Sequence, residues 1–157
     1  MRLRSKLLII TIMLLSIFSG SCSDATSPLN FDQMNVVYTK SGGWIQTSKI
    51  NVTKDGLTLF YKFIGPVDST VKDSTYLNQS EKNQLSQMFE SFNSYKRYYQ
   101  PAQYWTDQNY HVIVLNYEGQ SDTVSVYDPA HCELPGNLKK IIDFFESKID
   151  FFTERNS

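Results

Sequence analysis

Residues Tyr110–Tyr127 read YHVIVLNYEGQSDTVSVY, and this stretch decides the fold. Its first half alternates as a strand does, and its side chains therefore fall on two faces: His111, Ile113 and Leu115 against Tyr110, Val112 and Val114. The second half alternates in the same way from Asp122 onward. Glu118-Gly119-Gln120 lies between them and contains the glycine that tight turns favour. Two alternating runs joined by a short turn predict an antiparallel hairpin.

Three more strands are predicted upstream of this hairpin. Residues 35–40, Trp44–Thr53 and Leu57–Ile64 are rich in the β-branched and aromatic residues that strands favour. Ser41-Gly42-Gly43 separates the first two runs, and Lys54-Asp55-Gly56 separates the second from the third. Since both separators are short and contain glycine, the three runs are expected to form an antiparallel meander.

Two helices are predicted from apolar residues at helical spacing. Asn78 followed by Glu81 matches a capping box with Asn78 as N-cap. The helix behind it carries one apolar stripe, made of Leu85, Met88, Phe89 and Phe92. The second helix begins between Pro135 and Asn137, because proline is tolerated in a first turn. Its stripe, which Phe144 and Phe151 widen, contains Leu138, Ile141, Ile142, Phe145, Ile149 and Phe152.

These elements predict an α+β domain. About five strands form an antiparallel sheet in the order βββαββα, and two helices, each with one apolar face, pack on one face of it. Residues 34–157 are expected to form this single domain, since no repeat and no second boundary interrupts them.

The chain begins with a charged, then an apolar, then a small-residue segment. Three cations among the first six residues precede an apolar or hydroxyl-bearing run from Leu7 to Phe18. This order is typical of an export signal. The run is shorter than the about 20 residues that a bilayer-spanning helix needs. A signal peptide over residues 1–21 is therefore expected.

Ser19-Gly20-Ser21-Cys22 follows the apolar run and resembles the lipobox of bacterial lipoproteins. The resemblance implies that the signal is cut before Cys22 and that Cys22 carries lipid. Residues 22–33 would then be a lipidated N-terminus and tether, holding the domain on a membrane of the bacterial cell envelope, outer or periplasm-facing in a Gram-negative cell. The alternative is an ordinary signal peptide, with Cys22 free to pair with Cys132, the second of the two cysteines.

Charge argues against a nucleic-acid partner. Without residues 1–21 the chain keeps twelve basic and sixteen acidic residues, a formal charge of −4. Lys96-Arg97 and Lys139-Lys140 are its longest basic runs. Because nucleic-acid binding needs a clustered cationic surface, that class of partner is not expected.

A loop with metal-binding and nucleophilic residue types spans Asp128–Glu133. His131 and Cys132 could bind zinc, or Cys132 could act as a nucleophile with a histidine as its base. Adjacent residues seldom bind one ion together, and the sequence has no known hydrolase or phosphate-binding motif. We therefore expect a turn at Asp128-Pro129 rather than an enzyme centred on His131 and Cys132, and no metal or cofactor.

An aromatic segment, YKRYYQPAQYWTD, spans Tyr95–Asp107 between a predicted helix and a predicted strand. Tyrosine and tryptophan offer large, stiff contact area and are frequent at binding hot spots. The candidate contact residues for a protein or saccharide partner are Tyr98, Tyr99, Tyr104 and Trp105, with Trp44 if its turn lies nearby. The alternative is a lid that folds back over the core.

Two segments together resemble the emfourin-like family of small bacterial proteins. They are Val37–Trp44, a strand that runs into Ser-Gly-Gly-aromatic, and Thr106–Val112, which leads to the hairpin, to Leu134-Pro135 and to a closing helix. The resemblance spans residues 34–149. It implies a β-rich α+β fold and inhibition of a thermolysin-type metalloprotease, although it assigns no inhibitory residue in this chain. The leading expectation remains a membrane-anchored binding protein without catalytic activity.

Overall fold

The hairpin of Tyr110–Tyr127 forms and supplies two neighbouring strands of a seven-stranded sheet. We describe a computed structural model over residues 29–42, 46–64, 71–103 and 109–156. The strands are β1 (Met34–Gly42), β2 (Gln46–Val52), β3 (Leu57–Ile64), β4 (Val71–Tyr76), β5 (Tyr98–Tyr99), β6 (Tyr110–Tyr117) and β7 (Gln120–Tyr127). The helices are α1 (Gln79–Phe89) and α2 (Gly136–Arg155), with 3₁₀ turns at Phe31–Gln33 and Phe92–Ser94.

The strands lie in the order β4-β3-β2-β1-β6-β7-β5. Neighbours are antiparallel except β5, which runs parallel to β7. The α+β class is confirmed, but the expected count of about five strands and the purely antiparallel sheet were wrong. β4 lacks the apolar alternation of a half-buried strand because it lies at an edge and is mostly exposed. β5 contains only two residues, too few for any period to show.

One face of the sheet carries the core. Register places Tyr38 of β1 opposite Ile50 of β2 and Ile113 of β6, and all three side chains are buried. Phe145 of α2 stacks on Tyr38, with ring centroids 4.8 Å apart. Helix α1 adds Leu85, Met88 and Phe89 to the same core cluster, so both helices contribute to one core.

The predicted capping box closes the start of α1. The Asn78 side chain accepts a hydrogen bond from the Glu81 amide at 3.0 Å, and the Glu81 carboxylate accepts one from the Asn78 amide at 2.9 Å. Helix α2 starts after its N-cap, Pro135, as expected, and buries all six residues of its stripe. Phe151 was wrongly placed in that stripe, since it is 44% exposed.

The contacts of the domain begin before Met34, where the sequence placed its start. Phe31 is buried and Leu29 packs against the core, so part of the predicted tether of residues 22–33 is held on the domain. No helix within the described ranges is long and apolar enough to cross a membrane.

Candidate functional site

A cavity of about 660 Å³ lies where one end of the central strands meets the start of α2. Its walls come from three regions. The sheet contributes Lys40 at the end of β1 and His111 at the start of β6, the loop after β7 contributes residues 129–134, and α2 contributes its first turns. Since these regions are distant in sequence, only the folded domain assembles the cavity.

Strand register brings three polar side chains to this wall. Lys40 lies opposite His111 across the β1–β6 pair, and Tyr38 lies two residues before Lys40 on the same face. All three therefore point to the side of the sheet that α2 covers. Glu146 is the α2 residue that meets them. It lies one residue after Phe145, which stacks on Tyr38.

Glu146 is the centre of a short hydrogen-bond network. The Tyr38 hydroxyl donates to Glu146 Oε1 at 2.6 Å and lies 2.5 Å from His111 Nδ1. The Lys40 ammonium forms an ion pair with Glu146 Oε2. Because the tyrosine hydroxyl gives its single proton to the carboxylate, it is left to accept a proton from His111 Nδ1. The network thus fixes His111 as the tautomer that carries its hydrogen on Nδ1.

Burial sets the protonation of this network. His111 is 2% exposed. Its burial lowers the pKa of the imidazole to about 4, since the opposing attraction of Glu146 is smaller and Lys40 lowers it further. Burial also raises the pKa of the Tyr38 hydroxyl, and the neighbouring Glu146 carboxylate raises it again. At neutral pH both groups are therefore uncharged, and the ionic part of the network is the Lys40–Glu146 pair.

His111 Nε2 is buried and has no hydrogen-bond partner among the described residues. With the hydrogen on Nδ1, Nε2 is an acceptor that lacks a donor. Leaving such an atom unsatisfied costs about 1–3 kcal/mol. Most buried polar side-chain atoms in folded proteins do have a partner, so an exception marks a position to explain. This exception lies on a residue of the cavity wall.

The loop Asp128–Glu133 forms another wall of the cavity. Asp128 has a positive φ of 50°, and its amide donates to the Asn109 carbonyl at 2.7 Å. His131 Nδ1 lies 2.6 Å from Asp128 Oδ2, and the His131 amide donates to the Asp128 carbonyl at 3.0 Å. This is the turn that the sequence predicted at Asp128-Pro129.

Cys132 is oriented as a hydrogen-bond donor. Its thiol donates to the Tyr127 carbonyl at 3.0 Å, and burial, with Asp128 nearby, raises the pKa of the thiol. Both effects favour the protonated form, whereas a nucleophile or a metal ligand needs the thiolate. Within the described part of the chain, no three histidine, cysteine, aspartate or glutamate side chains are grouped to hold a metal ion.

The predicted aromatic contact residues are only partly described. Tyr98 is 46% exposed, on the two-residue strand that pairs with β7, whereas Tyr99 beside it packs partly against the core. Trp44, Tyr104 and Trp105 lie outside the described residues, as does Cys22. Tyr98 and Tyr99 do not line the cavity. The structure thus brings Tyr38, Lys40, His111 and Glu146, which the sequence did not single out as a site, to a cavity that Cys132 of the predicted loop also lines.

Gly42 fits tightly beside this set. A side chain at Gly42 would place its Cβ 2.0 Å from Asn109 Oδ1, so the Asn109 side chain would have to move to make room for it. Gly42 pairs with Gln46, so β1 and β2 pair as far as the described residues on either side of positions 43–45.

Comparisons with known proteins supply no family for this chain. No protein-family model matches it, and no curated protein matches it. The resemblance to the emfourin-like family and the resemblance to bacterial lipoproteins both remain predictions from the sequence.

Proposed function

We propose that this chain is a lipid-anchored protein of the bacterial cell envelope whose domain binds a small molecule in the cavity between β1, β6 and α2. The observation that carries the binding role is the polar network of Tyr38, His111, Lys40 and Glu146 at the wall of a 660 Å³ cavity. Small-molecule sites have volumes of about 300–1,000 Å³ and combine an apolar lining with few, well-placed polar groups.

Binding without catalysis is the reading that the protonation states favour. The Tyr38 hydroxyl and the Cys132 thiol both have raised pKa values. Neither is an ionised nucleophile at neutral pH, and Glu146, the nearest carboxylate to Tyr38, is occupied by two hydrogen-bond donors. What the network does instead is hold its side chains in fixed positions, as a preorganised binding site requires.

A cavity-filling substitution tests the binding role. Ala130 is exposed and lines the cavity, so Ala130→Trp should fill the space and leave the core intact. Native mass spectrometry of protein extracted from its own envelope should detect a bound small molecule on the wild type and none on Ala130→Trp. A matched control is Ala102→Trp, which is exposed and does not line the cavity. Wild-type protein without added mass, or added mass on all three proteins, would contradict the proposal.

The anchor is supported by the order of charged, apolar and small residues before Cys22. Intact mass of membrane-extracted protein should correspond to a chain that starts at Cys22 and carries acyl groups. Cys22→Ala should move the protein from the membrane to the soluble fraction, while Cys132→Ala should not. An unmodified N-terminus at Cys22, or a disulfide between Cys22 and Cys132, would instead indicate ordinary secretion.

The aromatic residues Tyr98, Tyr99, Tyr104, Trp105 and Trp44 are a second proposed contact surface, for a protein or a saccharide. The exposure of Tyr98 supports this. Trp105→Ala is expected to weaken binding of envelope saccharides or proteins and to leave the melting temperature unchanged. If the melting temperature falls sharply while binding persists, Trp105 belongs to the core and this surface is not a binding site.

Inhibition of a thermolysin-type metalloprotease is the alternative function. It is supported by the sequence Ser41-Gly42-Gly43-Trp44, which carries the resemblance to the emfourin-like family, and by the pairing of Gly42 with Gln46 on either side of residues 43–45. Titration of the full-length protein against thermolysin tests it. Peptide hydrolysis should fall in proportion to added protein, and unchanged hydrolysis at high molar excess would remove this candidate.

A further inference from the structure

We propose that the cavity takes a zwitterionic ligand with an apolar side chain, either a free amino acid or a short peptide. This inference rests on the proposed function, since it names the class of molecule that the same cavity would bind. It follows from which charges at the cavity are already paired and which are not.

The inner charges of the cavity are paired. The Lys40 ammonium and the Glu146 carboxylate bond to each other, and Glu146 also accepts from Tyr38. His111 is neutral at pH 7 because burial lowers its pKa to about 4. This end of the cavity wall therefore presents no net charge to a ligand. A ligand that separated Lys40 from Glu146 would leave one of the two charges poorly compensated, so the pair is expected to stay intact.

The outer charges of the cavity are unpaired. Lys139 and Asp143 both line it from the first turns of α2, and both are exposed. Neither side chain forms a hydrogen bond or an ion pair with another described residue. They lie four residues apart, about 6 Å along a helix axis. A lysine that precedes its acid by four residues is in the less favourable order for a helical ion pair.

A zwitterion complements this pair of charges. One ammonium and one carboxylate, held a single helical turn apart, match a ligand that carries one group of each sign. A ligand with only one charged group would leave either Lys139 or Asp143 without a counterpart, which lowers electrostatic complementarity. Free amino acids and peptides with unblocked ends both carry the required pair.

The remaining lining favours an apolar side chain. The cavity is also lined by Pro129, Ala130, Leu134 and Ile142, and Ile142 is buried. Covering these residues removes apolar surface from water, which contributes about 25 cal/mol per Å². His111, on the same wall, has a buried Nε2 without a hydrogen-bond partner among the described residues. Because an unsatisfied buried atom lowers stability, its presence at the cavity supports a role in binding.

Calorimetric titration of the detergent-solubilised full-length chain tests the inference. The probes are L-leucine, L-leucyl-L-leucine and N-acetyl-L-leucinamide, which keeps the side chain and lacks both charges. We expect at least one of the first two to bind about tenfold more tightly than the blocked compound. Lys139→Gln and Asp143→Asn should each weaken that binding about three- to tenfold, as expected for partly exposed charges. Lys140→Gln and Asp150→Asn, on exposed positions of the same helix that do not line the cavity, should not.

The two zwitterions separate the two sources of ligand. Binding of leucine alone identifies a free amino acid, and binding of leucyl-leucine alone identifies a peptide. The inference is overturned if neither binds, if the blocked compound binds equally well, or if Lys139→Gln and Asp143→Asn leave the affinity unchanged. If these titrations fail while Ala130→Trp still abolishes the added mass on envelope-derived protein, only the ligand class is wrong. If that added mass is missing as well, the proposed function fails with it.

Discussion

His111 lies on the apolar face of a central strand, and its polar neighbours are held in fixed positions by hydrogen bonds and an ion pair. Tyr38 accepts its Nδ1 hydrogen, Glu146 lies 3.7 Å away, and Lys40 pairs with Glu146. The sequence did place His111 on one face with Ile113 and Leu115, so a polar residue among core positions was the visible signal. Its partners could not be predicted, because Tyr38 lies 73 residues from His111 and 108 residues from Glu146.

The lowered pKa of His111 makes stability depend on pH. An unfolded histidine binds a proton below about pH 6.5, whereas the folded one does so only near pH 4. Between these values the unfolded state binds more protons, so the free energy of unfolding should fall as pH drops from 6.5 to 4. The loss attributable to His111 is at most about 3 kcal/mol. Urea unfolding at several pH values in this window measures it.

One variant isolates the contribution of His111. His111→Asn keeps a donor for Tyr38 but cannot titrate, so it should be less stable at pH 7.5 and show a smaller decline toward pH 4. Equal slopes for the wild type and His111→Asn would show that His111 does not cause the pH dependence.

At the scale of elements, local sequence patterns were sufficient wherever a strand or helix had one buried face. β3 and β6 have the predicted bounds, Leu57–Ile64 and Tyr110–Tyr117, because their alternation directly reflects the side that the helices cover. β4 was not predicted from the sequence. This edge strand contains Lys72 and Asp73 and is mostly exposed, so it lacks the alternation of apolar and polar residues that indicates a strand. Such charged residues are typical of edge strands, where they discourage pairing with other chains.

The capping box at the start of α1 is expected to contribute measurably to stability. Asn78→Ala removes the acceptor for the Glu81 amide and should lower the free energy of unfolding by about 1 kcal/mol. Asn78→Asp keeps an acceptor and should lose much less. Gln87→Ala, at an exposed position inside the same helix, is the control for a general effect of alanine. Chemical denaturation compares the four proteins, and equal stability of Asn78→Ala and the wild type would contradict the capping role.

The turn between β6 and β7 can be improved. Glu118 and Gly119 have φ values of 51° and 79°, and they join the pair Tyr117–Gln120 as a two-residue hairpin loop. Since asparagine adopts positive φ more readily than glutamate, Asn-Gly is the preferred sequence for such a loop. Glu118→Asn should therefore stabilise the domain by several tenths of a kcal/mol, on the order of the strain relieved. Glu118→Val should destabilise the domain, because a β-branched residue adopts positive φ poorly. Thermal unfolding of the wild type and both variants measures the two effects.

At the scale of the whole molecule, β1, the first strand in the described sequence, lies at the centre of the sheet. β1 pairs with β2 on one side and β6 on the other, while β4 and β5 lie at the two edges. Sequence patterns indicate which residues form strands, but not that the chain returns to β1 after the helix and the aromatic segment. That choice depends on pairings between distant residues, such as Val37 with Val114. The cavity therefore could not be predicted from the sequence, because it depends on this pairing.

Hydrogen exchange should reveal this arrangement. Amides that bond between β1 and β6 should exchange only on global unfolding, whereas the amides of β4 should exchange much faster, because edge strands open locally. Mass spectrometry of exchanged, digested protein measures both regions in one sample. Equally slow exchange in β4 and β1 would indicate that the edge is covered by another part of the chain or by a second molecule.

The central position of β1 also has a consequence for biosynthesis. β1 leaves the ribosome with β2 close behind, but its other partner, β6, follows about 70 residues later, several seconds at roughly 5–20 residues per second. During that interval the nascent chain presents an unpaired strand edge flanked by Val36 and Tyr38, two residues destined for the core. Unpaired strand edges with exposed apolar residues are prone to aggregation during synthesis. Glu146 lies in α2, the last element, so the cavity wall is complete only when synthesis is essentially finished.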